Sequence, residues 1–107
     1  MSVSFRASRD VIIRTHRFKE ATHFYESVLG LPVAYRSSTL VGFETGSFRL
    51  YVESGERKHG AVFDFIVSDK DAAKEALLKA GCTIFEEVPA HCYVKDPFGV
   101  MFNIEQK

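Results

Sequence analysis

The chain has no tryptophan, two cysteines and no net charge, and it lacks any long apolar run. Each shortage excludes something. Fourteen basic residues balance fourteen acidic ones, so neither a basic nucleic-acid footprint nor an acidic tail is present. Near-zero net charge puts little long-range repulsion between copies and permits self-association. No stretch approaches the roughly 20 apolar residues that a membrane helix needs, so no membrane partner is expected. The opening MSVSFRASRD has no apolar run, and no signal peptide is expected. Cys82 and Cys92 do not form a metal-type CxxC, so free thiols and a cytoplasmic location are expected. No Ser–His–Asp order, phosphate-binding glycine loop or basic-aromatic stripe appears. At 107 residues there is no room for a doubly wound dinucleotide domain or a barrel of eight β/α units.

What is present is 46% apolar and rich in phenylalanine, with ten Phe and four Tyr, as a packed core or a ligand cleft would require. DVIIRT at 10–15 predicts a strand. Phe18, Ala21, Tyr25 and Val28 then recur at helical spacing over 17–29, and Gly30 supplies a stop. LPVAYR, TLVGFET and SFRLYVES predict three strands, with a hairpin turn at Thr45-Gly46-Ser47. A polar, glycine-bounded connector follows at 55–60. The pattern then restarts. AVFDFIV predicts a strand, and Ser68 with Asp71 suggests a capping box for a helix whose face is Ala73, Ala76, Leu77 and Ala80. Gly81 ends that helix, and TIFEEV, HCYVK and VMFNIEQ predict three more strands. Asp96-Pro97-Phe98-Gly99 is a tight turn.

The chain is therefore one α+β domain, 1–107, of two tandem βαβββ modules. Module one spans about 8–53, the connector about 54–60 and module two about 61–105. A shift of 52 residues lays Val11, Ile13 and Thr15 on Phe63, Phe65 and Val67, and Leu50 and Val52 on Phe102 and Ile104. The helix stops, Gly30 and Gly81, differ by one residue from that offset. Strand parity sorts the faces. Val11, Ile13, Thr15, Phe48, Leu50, Val52, Phe63, Phe65, Val67, Phe102 and Ile104 should pack under the helices. Asp10, Ile12, Arg14, Arg49, Tyr51, Glu53, Val62, Asp64, Ile66, Met101, Asn103 and Glu105 should face away. That mixed second set suits a polar-lined cleft, with cross-strand ion pairs on a solvated face as the alternative.

This tandem arrangement resembles the vicinal oxygen chelate superfamily of glyoxalases, bleomycin-resistance proteins, fosfomycin-resistance enzymes and extradiol dioxygenases. Phe24-Tyr25-Glu26-Ser27-Val28-Leu29-Gly30-Leu31 is similar to its FYxxxLGL helix end, and Asp96-Pro97-Phe98-Gly99 to its DPxG turn. The Asn that usually follows the turn is Val100 here. The resemblance implies a curled mixed sheet, a half-barrel with a cleft and outer helices. It implies a homodimer too. In enzymatic members four side chains, usually His and Glu, hold a divalent metal. Those positions fall fourteen residues before the Phe of the first motif and seven after the Asp of the second, at Asp10 and Asn103. The repeat offset adds Tyr51 and Val62. Asp10, Tyr51, Val62 and Asn103 make a poor donor set, since Val62 has no donor atom and neutral amide and phenol groups are weak ligands.

The expectation is a small-molecule binding protein of the bleomycin-resistance type, without metal or other cofactor, sequestering a drug or metabolite. Its ligand-binding candidates are Asp10, Arg49, Tyr51, Asp64, His91, Tyr93, Met101 and Asn103. Arg49 offers a bidentate clamp for a carboxylate or phosphate, and Tyr51 and Tyr93 offer stacking faces. Asp10 and Asp64 are expected to pair with arginines, because an unpaired buried carboxylate is costly. His91 is a candidate base or donor. Arg14, His16, His23 and His59 are expected to be exposed. The alternatives are a divergent lyase, isomerase or dioxygenase using Asp10, His91 and Glu105, and a structural dimer with a vestigial cleft.

Overall fold

The computed structural model describes residues 3–57 and 59–107; Met1, Ser2 and, in the connector, Lys58 lie outside them. Among the described residues the order is β1 (Phe5–Thr15), α1 (Phe18–His23), β2 (Val33–Arg36), β3 (Leu40–Glu44) and β4 (Arg49–Ser54). Then come β5 (Val62–Val67), α2 (Lys70–Lys79), β6 (Thr83–Val88), β7 (His91–Lys95) and β8 (Met101–Gln106). The α+β class and the doubled βαβββ order are those the sequence predicts. The chain forms two compact units, one of Arg9–Ala61 and one in which the segment up to Ser8 joins Val62–Lys107. β1 begins at Phe5, five residues before the predicted strand.

In the first unit the strands run in the order β2-β3-β4-β1. β1 and β4 are parallel, and the other pairs are antiparallel. The second unit has the order β5-β8-β7-β6, with β5 and β8 parallel. The 52-residue offset holds at every step of the parallel pairs. Asp10↔Arg49 through Thr15↔Ser54 become, on adding 52, Val62↔Met101 through Val67↔Gln106, and the pairs from Phe63↔Phe102 to Val67↔Gln106 are observed as such. The antiparallel strands repeat at 51 instead. Val33↔Phe43, Tyr35↔Gly42 and Arg36↔Val41 become Ile84↔Val94, Glu86↔Tyr93 and Glu87↔Cys92. Both edge strands carry a register shift at the same place, between Val33 and Tyr35 and between Ile84 and Glu86. A bulge of this kind re-aims the edge strand and raises its twist.

One helix covers one face of each sheet. In the first unit Val41, Phe43, Leu50 and Val52 are buried against Val11, Ile13, Phe18, Ala21, Tyr25, Leu31 and Val33. The Tyr25 ring lies 5.9 Å from that of Phe43. In the second unit Val67, Ala73, Cys82, Cys92, Val94 and Ile104 are buried with Phe65, Leu77, Ile84 and Phe102 around them. Parity holds, with two exceptions at strand ends. Phe48 and Phe63 were expected under the helices and are instead 40% and 50% exposed. Phe48 lies just before the first residue of β4, and Phe63 is the second residue of β5.

The local signals explain the terminations. After α1 the backbone widens into a π-type turn over Phe24–Val28, and the Leu29 N–H donates to the Phe24 carbonyl at 3.1 Å. Gly30 then takes φ +67°, which a residue without Cβ adopts at no steric cost. The single helix predicted for 17–29 is thus a six-residue α-helix continued by this wider turn. At α2 the capping box is corrected. Asp69, not Ser68, caps the helix, and its Oδ1 accepts the Ala72 N–H at 3.0 Å. Asp96 organises the last turn through Oδ1, which accepts the N–H of Phe98 and Val100 at 2.8 and 2.9 Å. Gly81, at φ +97°, lies where a Cβ would sit 3.3 Å from Pro97 Cγ, so the end of α2 and the DPxG turn are packed together.

Asp69→Ala should destabilise the protein by about 1 kcal/mol, the usual value of an N-cap, in urea unfolding followed by circular dichroism. Ser68→Ala should change it by only a few tenths, well below a lost cap.

Candidate functional site

The predicted site residues divide between the two units. In the first, the face turned from α1 is built in cross-strand rows. Asp10 on β1 pairs in register with Arg49 on β4, which pairs with Glu44 on β3. Arg49 Nη2 lies 3.7 Å from Glu44 Oε1, and Arg9 Nη2 reaches Glu44 Oε2 at 2.6 Å. The Gly46 N–H also donates to Glu44 at 2.8 Å. Backbone N–H donation and the Arg9 guanidinium hold the Glu44 carboxyl below its ordinary pKa. A hydrogen bond to the Tyr51 side chain, with the nearby acids, raises Arg49.

The next row is Ile12, Tyr51 and Gly42. A Cβ on Gly42 would come within 2.7 Å of Tyr51 Cε1, so the tyrosine ring packs onto β3 where position 42 has no side chain. That contact covers part of a ring expected to stack a ligand. The third row is Arg14 with Glu53. Arg14 was expected to be exposed, yet its side chain is only 9% exposed, with Glu53 Oε1 at 3.7 Å. The strand ends here, and the connector glycine Gly55 lets the arginine stem pack against the backbone, with Cδ 3.0 Å from where a Cβ would sit.

The second unit holds the other candidates, and there the polar groups are spent on one another. Asp64 and Asn103 face each other across β5 and β8 and are both buried. Asn103 Nδ2 donates to Asp64 Oδ1 at 2.8 Å, and Ser8 Oγ donates to Asp64 Oδ2 at 2.7 Å. Asn103 Oδ1 accepts the Cys92 N–H at 2.9 Å. Asp64 therefore meets a serine and an amide, neither of which was its expected partner. Ser8 escaped notice because residues before the predicted strand had no assigned face. Met101 and Tyr93 are buried as well.

His91 keeps a polar role. Its Nε2 lies 2.5 Å from Glu86 Oε2, and its ring stacks on Tyr93 with centroids 4.1 Å apart. Both members of the pair remain partly exposed, at 17% and 27%. Glu86 was not a candidate. The register shift in β6 places it opposite Tyr93 and within reach of His91, and a count along an unbulged strand would misplace it. His16 and His23 are exposed, as expected, but His59 is half-buried. The two cysteines are free, and burial pushes both thiols above the ordinary range. They are poor nucleophiles and poor metal ligands at neutral pH.

The sequence profile of the glyoxalase-like domain family matches residues 10–105. The chain belongs to that family. No curated protein sequence matches the chain significantly. Among solved structures, a glyoxalase/bleomycin resistance protein/dioxygenase superfamily member from Vibrio splendidus 12B01 is 15% identical at a TM-score of 0.69, over 99% of this chain and 100% of that one. The methylmalonyl-CoA epimerase of Streptomyces coelicolor is 14% identical at 0.64, over 97% and 99%. A homoprotocatechuate 2,3-dioxygenase from B. fuscum is 19% identical at 0.64, over 95% of this chain and 32% of that one. At these identities the likeness establishes the fold.

The glyoxalase-like family implies a divalent metal, and the donor chemistry does not fit one. Val62 is fully buried and has no donor atom. Both polar atoms of Asn103 are already bonded. Tyr51 shares its strand face with the Arg49 guanidinium, whose charge opposes a cation beside it. Asp10 alone offers an anionic oxygen, and it too interacts with Arg49.

Asn103→Ala should destabilise the second unit by about 2 kcal/mol or more, since it leaves the Cys92 N–H and one Asp64 oxygen buried without their partner. Chemical denaturation checks this, and hydrogen exchange should show lost protection at Cys92 first.

Proposed function

We propose that this glyoxalase-like chain is a binding protein for a small organic molecule and does not use the family's metal chemistry. The observation that carries the reading is the fate of the metal-ligand positions in the second unit: Val62 is donorless and Asn103 is locked between Asp64 and the Cys92 backbone. A Lewis acid that holds vicinal oxygens needs several imidazole, thiolate or carboxylate donors, and neither residue supplies one. Sequestration of a drug or metabolite, in the manner of bleomycin-resistance proteins, is the role this supports. A homodimer in the cytoplasm belongs to the same proposal, supported by the family and by the neutral charge. Among the described residues no helix is long and apolar enough to cross a membrane.

Metal analysis of freshly purified protein should find less than stoichiometric Zn, Ni, Fe or Mn. A thermal-shift screen of metabolites and antibiotics should yield a compound that raises the melting temperature with concentration, as ligand linkage requires. Stoichiometric metal bound through Asp10 or Glu105 would sink this reading.

A second reading, an enzyme, draws on the His91–Glu86 pair. A carboxylate that orients an imidazole is a general acid–base arrangement, and here Tyr93 fixes the ring plane from one side. His91→Ala and Glu86→Gln should then abolish turnover in a screen of glyoxalase-type, fosfomycin-type and catechol substrates while leaving the unfolding midpoint nearly unchanged. Absence of turnover in the unmodified protein, with and without added metals, removes this second reading.

A further inference from the structure

The first unit contains a cavity that none of the predicted ligand-binding residues lines. It has a volume of about 330 Å³ and lies where β1 ends, between α1 and the connector. Its floor is apolar: Ile13, Ala21 and Tyr25, all part of the core under α1. Its rim is basic: Arg14, Arg57 and His59. Among the described residues that line it, none is acidic.

The Arg14 side chain is 9% exposed and lies 3.7 Å from Glu53 Oε1. Arg57 adds a second positive charge to the same rim. His59 is held there by its own backbone, with Nδ1 2.7 Å from the Gly60 carbonyl oxygen. Two arginines lining one cavity supply the fork donors that read a carboxylate or phosphate bidentately. The apolar floor beneath them suits a short hydrocarbon or aromatic body. A cavity near the lower end of the roughly 300–1,000 Å³ ligand-pocket range admits about one ring and its head group.

We propose that this cavity is a binding site for a small organic anion, with its carboxylate or phosphate head on Arg14 and Arg57 and its apolar body on Ile13, Ala21 and Tyr25. The site shares only Arg14 with the sheet face that turns from α1, and it stands whether or not the rest of that face binds a ligand.

The test uses the full chain and three probes: benzoate, its uncharged counterpart benzamide, and inorganic phosphate. Binding is followed by calorimetry and by the amide resonances of Gly60 and Ala61, two further lining residues. Saturable benzoate binding that moves those amides is expected, with benzamide weaker by about tenfold or more, as loss of a charge-assisted pair predicts. Phosphate binding at the same amides, tighter than that of benzoate, would assign the head group as phosphate; the reverse order assigns a carboxylate. Arg57→Ala and Arg14→Lys should each weaken the favoured anion by about tenfold. The exposed Lys95→Gln should leave it unchanged. Arg57 is exposed, and its variant carries the test if Arg14→Lys fails to fold. The proposal is overturned if neither anion moves these amides, if Arg57→Ala leaves affinity intact, or if Lys95→Gln weakens binding equally. Since none of these variants touches Asp64, His91 or Asn103, its failure and that of the sheet-face reading are distinguishable.

Discussion

The parallel pairing of the first and last strand in each unit is the constraint from which the rest follows. Parallel neighbours cannot be joined by a tight turn and need a long crossover. Here the crossover contains a helix and two antiparallel strands, so every βαβββ module closes on itself through β1·β4 or β5·β8. Once that register is set, strand parity dictates the rest. Val11 with Leu50, and Phe65 with Ile104, must meet the helix. Ile12 with Tyr51, and Asp64 with Asn103, must turn away from it. A slip of one residue would exchange the two sets. The shared 52-residue spacing of these pairs is the physical form of the internal repeat.

The two units use the away-facing positions differently. In the first, opposite charges stand side by side in rows, Asp10–Arg49–Glu44 and Arg14–Glu53. Where such pairs are exposed they stabilise weakly in water. In the second, Ser8, Asp64, Asn103 and the Cys92 backbone bond to one another, with Asp64 and Asn103 buried. A buried network in which each donor has its acceptor favours one arrangement, and breaking one member is costly. The chemistry left over in that unit is His91 with Glu86, which keep solvent access and a fixed orientation. The first unit's surplus of positive charge collects instead at the end of β1, where Arg14 and Arg57 border an apolar floor.

The family's two motifs are explained by the same frame. Tyr25 of FYxxxLGL packs beside Phe43, while its glycine supplies the left-handed residue that ends the turn. Asp96 of DPxG binds two backbone N–H groups, and its proline meets the glycine that closes α2. These residues are conditions of the fold, which is why a chain can carry both motifs while Val62 and Asn103 stand where a metal would need donors.

The sequence by itself determined the doubled βαβββ order, the helix stops at Gly30 and Gly81, and the face assigned to nearly every strand residue. These depend on period and on local backbone preference, which are written in neighbouring residues. It also determined that the glyoxalase-like metal positions lack donors, because that is a matter of residue identity. Only the tertiary structure decided the polar partners. Ser8 with Asp64 are 56 positions apart and Asn103 with Asp64 are 39 apart, and no local pattern links them. Glu86 reaches His91 because a bulge shifts β6, and Arg14 is buried because Gly55 lets the connector close over its stem. Periodicity tells which way a side chain points. What it meets there depends on register shifts and on segments distant in the chain.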